Sequence, residues 1–189
     1  AEPHQAVLRV HLALDTGMHR LGFAPEDMPR LIERLKGQNA VIPRSVFSHF
    51  VGSDAQQFDA FTCKQIETFE KASMLLQEAF PYKILRHICN SAGIERFPGA
   101  QFDMVRLGIG LYGISPIDNS IMHNVSTLKT TILQIRDVPE EDTVGYSRKG
   151  HLTRPSRIAA IPIGYADGLN RHLGNGHAYC LVNGQRAPY

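Results

Sequence analysis

The sequence predicts an α/β segment built on a parallel sheet, followed by a mostly antiparallel β segment. Three observations predict it. Strand-like runs alternate with runs of helical period as far as Gly113, which implies right-handed β-α-β units. Each of these strands ends in a polar or glycine-rich cluster: 15–20, 48–54, Asn90 with Ser91, and 106–113. After "ISPIDNS" the helical period is lost and short β-rich runs alternate with Pro, Gly, Asn and Asp turns.

The elements follow in order. "AVLRVHLAL", from Ala6, reads as the first strand, and "APEDMPRLIERLKG" as a helix closed by Gly37. "IPRSVFSHF" is the second strand. The long run "DAFTCKQIETFEKASMLLQEAF" is the second helix, with Phe61, Ile66, Phe69, Met74 and Leu75 as its expected apolar set. "YKILRHICNS" is a third strand, "AGIERFPG" a short helix or loop, and "FDMVRLGIGLYG" a fourth strand. The boundary falls so that residues 1–123 form the α/β part and 124–189 the β part. In the latter, "VSTLKTTILQIRDV", "DTVGYSR", "SRIAAIPIGYADG" and "HAYCLVNGQRAPY" carry the strands.

Composition narrows the function. With 20 basic and 18 acidic residues the formal net charge is +2, so no strong field draws the chain to nucleic acid or anionic lipid. Cys63, Cys89 and Cys180 show no C-x-x-C spacing, which argues against zinc and for a reducing compartment, by default the cytoplasm. No apolar run approaches the roughly 18 residues of a membrane span, and no signal-peptide pattern is present. The first residue is Ala1 and the chain stops at Tyr189 on the approach to another strand, so it reads as a piece of a longer polypeptide.

Polar residues at parallel strand ends are where α/β folds collect their chemistry. Asp15 and Arg20 flank a glycine turn; capping and a surface ion pair explain them as well as function does. His49 after Ser48 reads equally as a satisfied, half-buried histidine, and "CNSAG" as a turn. "VRLGIGLYG" is more telling: Arg106 sits in an apolar run and needs a partner if it faces a core, while the glycines bare amides suited to an anion. Tyr146 and Tyr165 follow glycines at strand ends. Either would need a cationic neighbour to exchange protons near neutrality.

Taken together, "LDTGMHRLGF", "SHF", "NSAG", "DMVRLGIGLYGISP", "DTVGYS" and "IPIGYADGLNR" resemble the alanine racemases, in the family's order and at similar spacing. The resemblance implies the later half of a TIM-like (β/α)8 barrel followed by an antiparallel β domain, both incomplete. It implies a parent enzyme that interconverts L- and D-alanine for peptidoglycan through a pyridoxal phosphate aldimine, by a two-base (Tyr/Lys) mechanism. The parent is implied to be a homodimer with active sites shared between subunits. Racemases of serine, lysine or broad specificity share these motifs, and a non-catalytic half-barrel that associates through its exposed sheet is a further alternative.

Residue by residue, the resemblance places Arg106 against the cofactor's pyridine nitrogen, Asn90 and Ser91 beside ring and phosphate, and Gly108 and Ile109 as backbone phosphate donors. Tyr146 matches the tyrosine base and His49 its hydrogen-bond partner, linked onward to Arg106. Arg20 matches the arginine near the cofactor's phenolic oxygen and the substrate carboxylate. Tyr165, Arg171 and Asp54 match the lining of the substrate access corridor.

The departures are specific. Nothing matches the family's "VKANAYGHG"-like run with the Schiff-base lysine, which is also the second base. Lys36, Lys64, Lys71 and Lys83 fall on helices or unmatched positions, so the chain alone is expected to be inactive. The family's methionine-aspartate turn and a further phosphate-binding tyrosine have no counterpart. Ala13 stands where many members carry a modified lysine supporting the arginine, and Ser147 and Leu107 stand where glycine and proline are usual. Similarity to proteins that begin with a muramoyl-tripeptide D-alanyl-D-alanine ligase raises such a fusion as an alternative parent.

Overall fold

The computed structural model describes residues 7–189. Ala6, from which the first strand was expected, lies outside them. The chain divides into two compact units, Ala1–Ser126 and Thr127–Tyr189.

In the first unit β1 (Leu8–Ala13), β2 (Val41–Phe47) and β3 (Leu85–His87) form a parallel sheet in the order β1-β2-β3. Between them run α1 (Met28–Lys36) and α2 (Asp59–Glu78), and α3 (Ser91–Arg96) follows β3. Pro43 lies inside β2, where it has no N–H to give the ladder. The register shifts at that point: Val10 pairs with Pro43 and His11 with Ser45, so Arg44 is an extra residue in the strand.

α1 starts one residue before Pro29 and ends with Arg34 and Lys36 in its last turn, where cations complement the helix dipole. Gly37 follows as expected, but at φ −77° rather than left-handed, with its N–H on the Glu33 carbonyl at 3.0 Å. Asn90 caps α3 by accepting the Gly93 N–H at 2.9 Å. Asp59, in the first turn of α2, accepts Arg96 Nη2 on both carboxylate oxygens at 2.7 and 2.8 Å, tying α2 to α3.

The core gathers Leu12, Leu14, Met28, Val46, Phe50, Phe69, Leu76, Ile84 and Ile88 between the sheet and the helices. Two expectations are corrected here. Of the apolar set assigned to α2, Phe69 is buried and Ile66 partly so, but Phe61, Met74 and Leu75 are exposed. The buried face is instead Thr62, Gln65, Phe69, Ala72, Ser73 and Leu76, at helical spacing but half polar. The expected fourth strand is not one. Segment 102–108 runs beside β3 with two backbone bonds, Asp103 N–H to Arg86 and Arg106 N–H to Cys89, then tightens into a turn at Ile109–Tyr112.

The second unit holds three antiparallel pairs: β4 (Gln134–Val138) with β7 (Ser156–Ala160), β5 (Thr143–Val144) with β6 (Gly150–His151), and β8 (Tyr179–Val182) with β9 (Gln185–Pro188). Asn183 and Gly184, both at positive φ (50° and 80°), close the last hairpin in the twist its strands require. None of its residues is fully buried. Among the described residues no helix is long and apolar enough to cross a membrane.

Candidate active site at the strand ends

Arg106 is the centre. It enters from the segment beside β3, half-buried, and both terminal nitrogens are occupied. Nη1 donates to His87 Nδ1 at 2.6 Å and to the His87 carbonyl at 3.2 Å. Nη2 donates to the carbonyls of Ser48 (2.5 Å) and Ile88 (3.3 Å) and to His49 Nδ1 at 3.2 Å. The guanidinium carbon also lies over an aromatic face, 5.3 Å from the centroid of the Phe47 ring. Among the described residues no carboxylate pairs with it. Carbonyl dipoles and an aromatic face hold the cation, and its net charge remains available to a ligand.

Because an arginine only donates, its partners' protons are assigned. His87 Nδ1 must accept, so its Nε2 carries the hydrogen and donates to Ser45 Oγ at 3.1 Å. Ser45 then donates to His11 Nδ1 at 2.5 Å. A directed chain of hydrogen bonds therefore crosses all three strands. His49 likewise accepts at Nδ1 and keeps its hydrogen on Nε2. Burial, then Arg106 and then Arg20 hold the His49 ring below the usual histidine range, which favours this neutral state and places the Arg20 charge close by. Burial, Arg106 and His11 press His87 down to about 4.

Arg20 itself is exposed, at the end of the turn that Asp15 builds. Asp15 Oδ1 accepts the N–H groups of Gly17 and His19, both at 3.0 Å, and Oδ2 meets the His19 ring at 3.0 Å. Those two amides hold the Asp15 carboxyl below its ordinary value. Capping thus accounts for Asp15, whereas Arg20 makes no ion pair among the described residues.

Two glycine amides meet a serine hydroxyl at the start of α3. Ser91 Oγ accepts the N–H of Gly108 at 3.0 Å and of Gly110 at 3.1 Å, so two amides converge on one oxygen. Asn90 Oδ1 is taken by Gly93 N–H and by the Ser53 hydroxyl at 2.8 Å. Ile109 is exposed beside Gly108, and Asp54 is exposed on the loop after β2. Sequence reasoning passed over His11, Ser45, His87 and Gln65. The signal for the first three was polar residues on one face of neighbouring strands, His11 opposite Ser45 and His87 two residues beyond Ser45's partner Leu85.

In the second unit Tyr146, Tyr165 and Arg171 line one cleft of about 660 Å³. The Arg171 guanidinium lies 5.6 Å from the Tyr165 ring. Tyr146 is 75% exposed, and Ser147 and Arg148 after it have φ of 58° and 54°, a left-handed backbone where glycine is favoured.

Two family models match: the alanine racemase N-terminal domain over residues 1–116 and the alanine racemase C-terminal domain over 125–189. The chain belongs to the alanine racemase family. It is 39% identical over 185 residues to alanine racemase 2 of Caldanaerobacter subterraneus, covering 95% of this chain and 47% of that one. The biosynthetic alanine racemase of Pseudomonas aeruginosa superimposes with a TM-score of 0.79 at 32% identity, covering 97% of this chain and 51% of that one. The Bartonella henselae alanine racemase, solved with covalently bound pyridoxal phosphate, gives 0.68 at 28% identity over 97% and 48%. The chain spans about half the length of the racemases it matches. The expected fold class, part of an α/β barrel followed by an antiparallel β domain, stands.

Proposed function

We propose that the protein carrying this chain is a pyridoxal phosphate-dependent alanine racemase that interconverts L- and D-alanine, a cytoplasmic homodimer supplying D-alanine to peptidoglycan. One observation carries the reading most: a half-buried arginine at the strand ends, with no carboxylate partner among the described residues, near a Ser91 hydroxyl that accepts two amides and keeps its own hydrogen to donate. That arrangement suits a ligand with an electron-rich ring nitrogen at one end and a phosphate at the other. A Cβ at Gly108 would stand 3.6 Å from Ser91 Oγ, an ordinary van der Waals contact, so what Gly108 brings is its amide rather than its missing side chain. Asn90, Ser91, Gly108 and Ile109 would hold the phosphate side, and Arg106 the ring nitrogen.

Bound pyridoxal phosphate supplies an electron sink that acidifies the amino acid's α-hydrogen. The chain's own residues do the rest. Arg106 donates and never releases its proton, so a ring nitrogen facing it stays unprotonated and the sink is a weak one, which limits side reactions. Tyr146 takes or returns the α-hydrogen on one face, reaching the barrel site of the other subunit; its exposure leaves it accessible for that. His49, fixed with Nε2–H outward, donates to the phenolic oxygen and, with the cations behind it, lowers the cost of a phenolate. Arg20 meets the substrate carboxylate, and Tyr165, Arg171 and Asp54 line its approach.

A second base is required on the opposite face. Lys64 and Lys71 are exposed on α2 and Lys36 at the end of α1, while Lys83 pairs with Asp103 at 2.6 Å. None stands at the carboxyl end of a parallel strand, so the chain by itself is not expected to racemise. The test uses the full-length polypeptide: alanine racemisation and the absorbance of an enzyme-linked cofactor should both be present, and Tyr146→Phe should abolish proton exchange from one enantiomer. A full-length protein that neither binds pyridoxal phosphate nor racemises alanine would overturn the proposal.

A further inference from the structure

We propose that Gln65 is the residue that positions His49 and ties the two strand-end loops bearing His49 and Arg20 into one rigid piece. The role in catalysis rests on the racemase reading; the positioning does not. Gln65 is 1% exposed on the inner face of α2. Its Nε2 donates to the His49 carbonyl and to Thr16 Oγ1, both at 3.0 Å, and its Oε1 accepts the Val51 N–H at 3.1 Å. Two donors and one acceptor of a single amide are thereby used on three backbone or hydroxyl groups that lie beyond the reach of the sheet ladder. Left unpaired, those groups would be costly to bury.

The geometry goes further than satisfying them. Gln65 grips the backbone on both sides of Phe50, which is 2% exposed and packs on Gly93 and Phe97. With carbonyl 49 and amide 51 fixed on the helix side, the His49 ring is directed away, onto Arg106. Thr16, having accepted from Gln65, donates to Ser48 Oγ at 2.7 Å, and Ser48 donates to the Leu14 carbonyl at 2.8 Å. The Ser48 carbonyl in turn receives Arg106. One side chain therefore joins the loop after β1, the loop after β2 and the guanidinium between them.

Gln77 offers a natural comparison. It bridges the Tyr82 carbonyl at 2.9 Å and the Ile84 N–H at 2.8 Å at the far end of the same helix, remote from His49. In the full-length protein, Gln65→Leu, Gln65→Glu and Gln77→Leu are compared by NMR titration of the histidine rings, melting temperature and racemase kinetics. Both Gln65 variants should let the His49 midpoint rise toward the ordinary 6.5 as the ring leaves Arg106 and Arg20. They should lower kcat about tenfold or more with little change in KM, as displaced catalytic groups do. Gln65→Glu keeps the shape and the Val51 bond, so it remains informative if the leucine variant does not fold. Gln77→Leu should lose melting temperature without moving His49. The idea fails if the His49 midpoint stays put in both Gln65 variants, or shifts as far in Gln77→Leu. A protein that racemises nothing yet shows the selective His49 shift supports the positioning and refutes the racemase reading.

Discussion

Acidification should destabilise the first unit through His87 before its carboxylates are protonated. The ring is 4% exposed, stacked on Phe47 at 5.3 Å, and held between the Arg106 guanidinium and the Ser45 hydroxyl. Protonating it would place two cations 2.6 Å apart and remove the acceptor that Arg106 uses. Its midpoint is accordingly lowered from 6.5 to about 4, by burial first and Arg106 and His11 next. The unfolded chain therefore takes up the proton before the folded one does. The stabilising contribution is complete above pH 6.5, declines as pH falls, and is gone below about 4. At about 1.4 kcal/mol per pH unit, the gap corresponds to about 3 kcal/mol. Two assays check it: NMR titration of the ring, and denaturant unfolding of the first unit across that window. His87→Gln, which can still accept from Arg106 and donate to Ser45, should flatten most of the pH dependence; the part left belongs to His49 and, at the acid end, to the lowered carboxyls of Asp15 and Asp103. A ring that titrates near 6.5 in the folded protein, or an equal pH slope in the variant, refutes the reasoning.

Ser147→Gly should raise the stability of the second unit by about 1 kcal/mol, since φ of 58° costs serine more than glycine, and a thermal shift measures it. Gly93→Ala should cost about 1–3 kcal/mol, because its Cβ would stand 2.8 Å from the buried Phe50 ring; a lost or unchanged melting temperature separates the cases. Cys63 is exposed and should alkylate readily, whereas Cys89, buried with its thiol pushed up to about 11, should react only after unfolding, as mass spectrometry of a timed iodoacetamide reaction would reveal.

Much of the fold was legible because alternation and helical period report which face is buried. β1, β2, α1 and α2 lie where those patterns put them. The fourth strand was not legible as a turn: apolar residues beside glycines read like a strand, yet Gly108 and Gly110 give their amides to Ser91 instead of a ladder. The inner face of α2 was misread for a related reason. Its first half packs on strand-end loops, where backbone groups need partners, so Thr62 and Gln65 are buried while Phe61 is not. Binary patterning treats a helical glutamine as solvated and has no means of seeing the carbonyl it faces. His49 and Arg106 could be singled out as polar residues at apolar strand ends. His87, three residues before Asn90, was legible only once parallel pairing placed it near Ser45.

Pro43 has a reach that its position in mid-sheet conceals. Were β2 to pair with β1 without the extra residue at Arg44, His11 would face Arg44 and Ser45 would face Leu12, inverting which side of the sheet each presents. Ser45 would keep His87, which it meets through the pairing of β2 with β3, but it would lose His11, and nothing would link β1 to the charge at Arg106. A ring with no amide hydrogen thus decides, by what it cannot donate, that a cation at one edge of the sheet governs which nitrogen of a histidine at the other edge carries its proton.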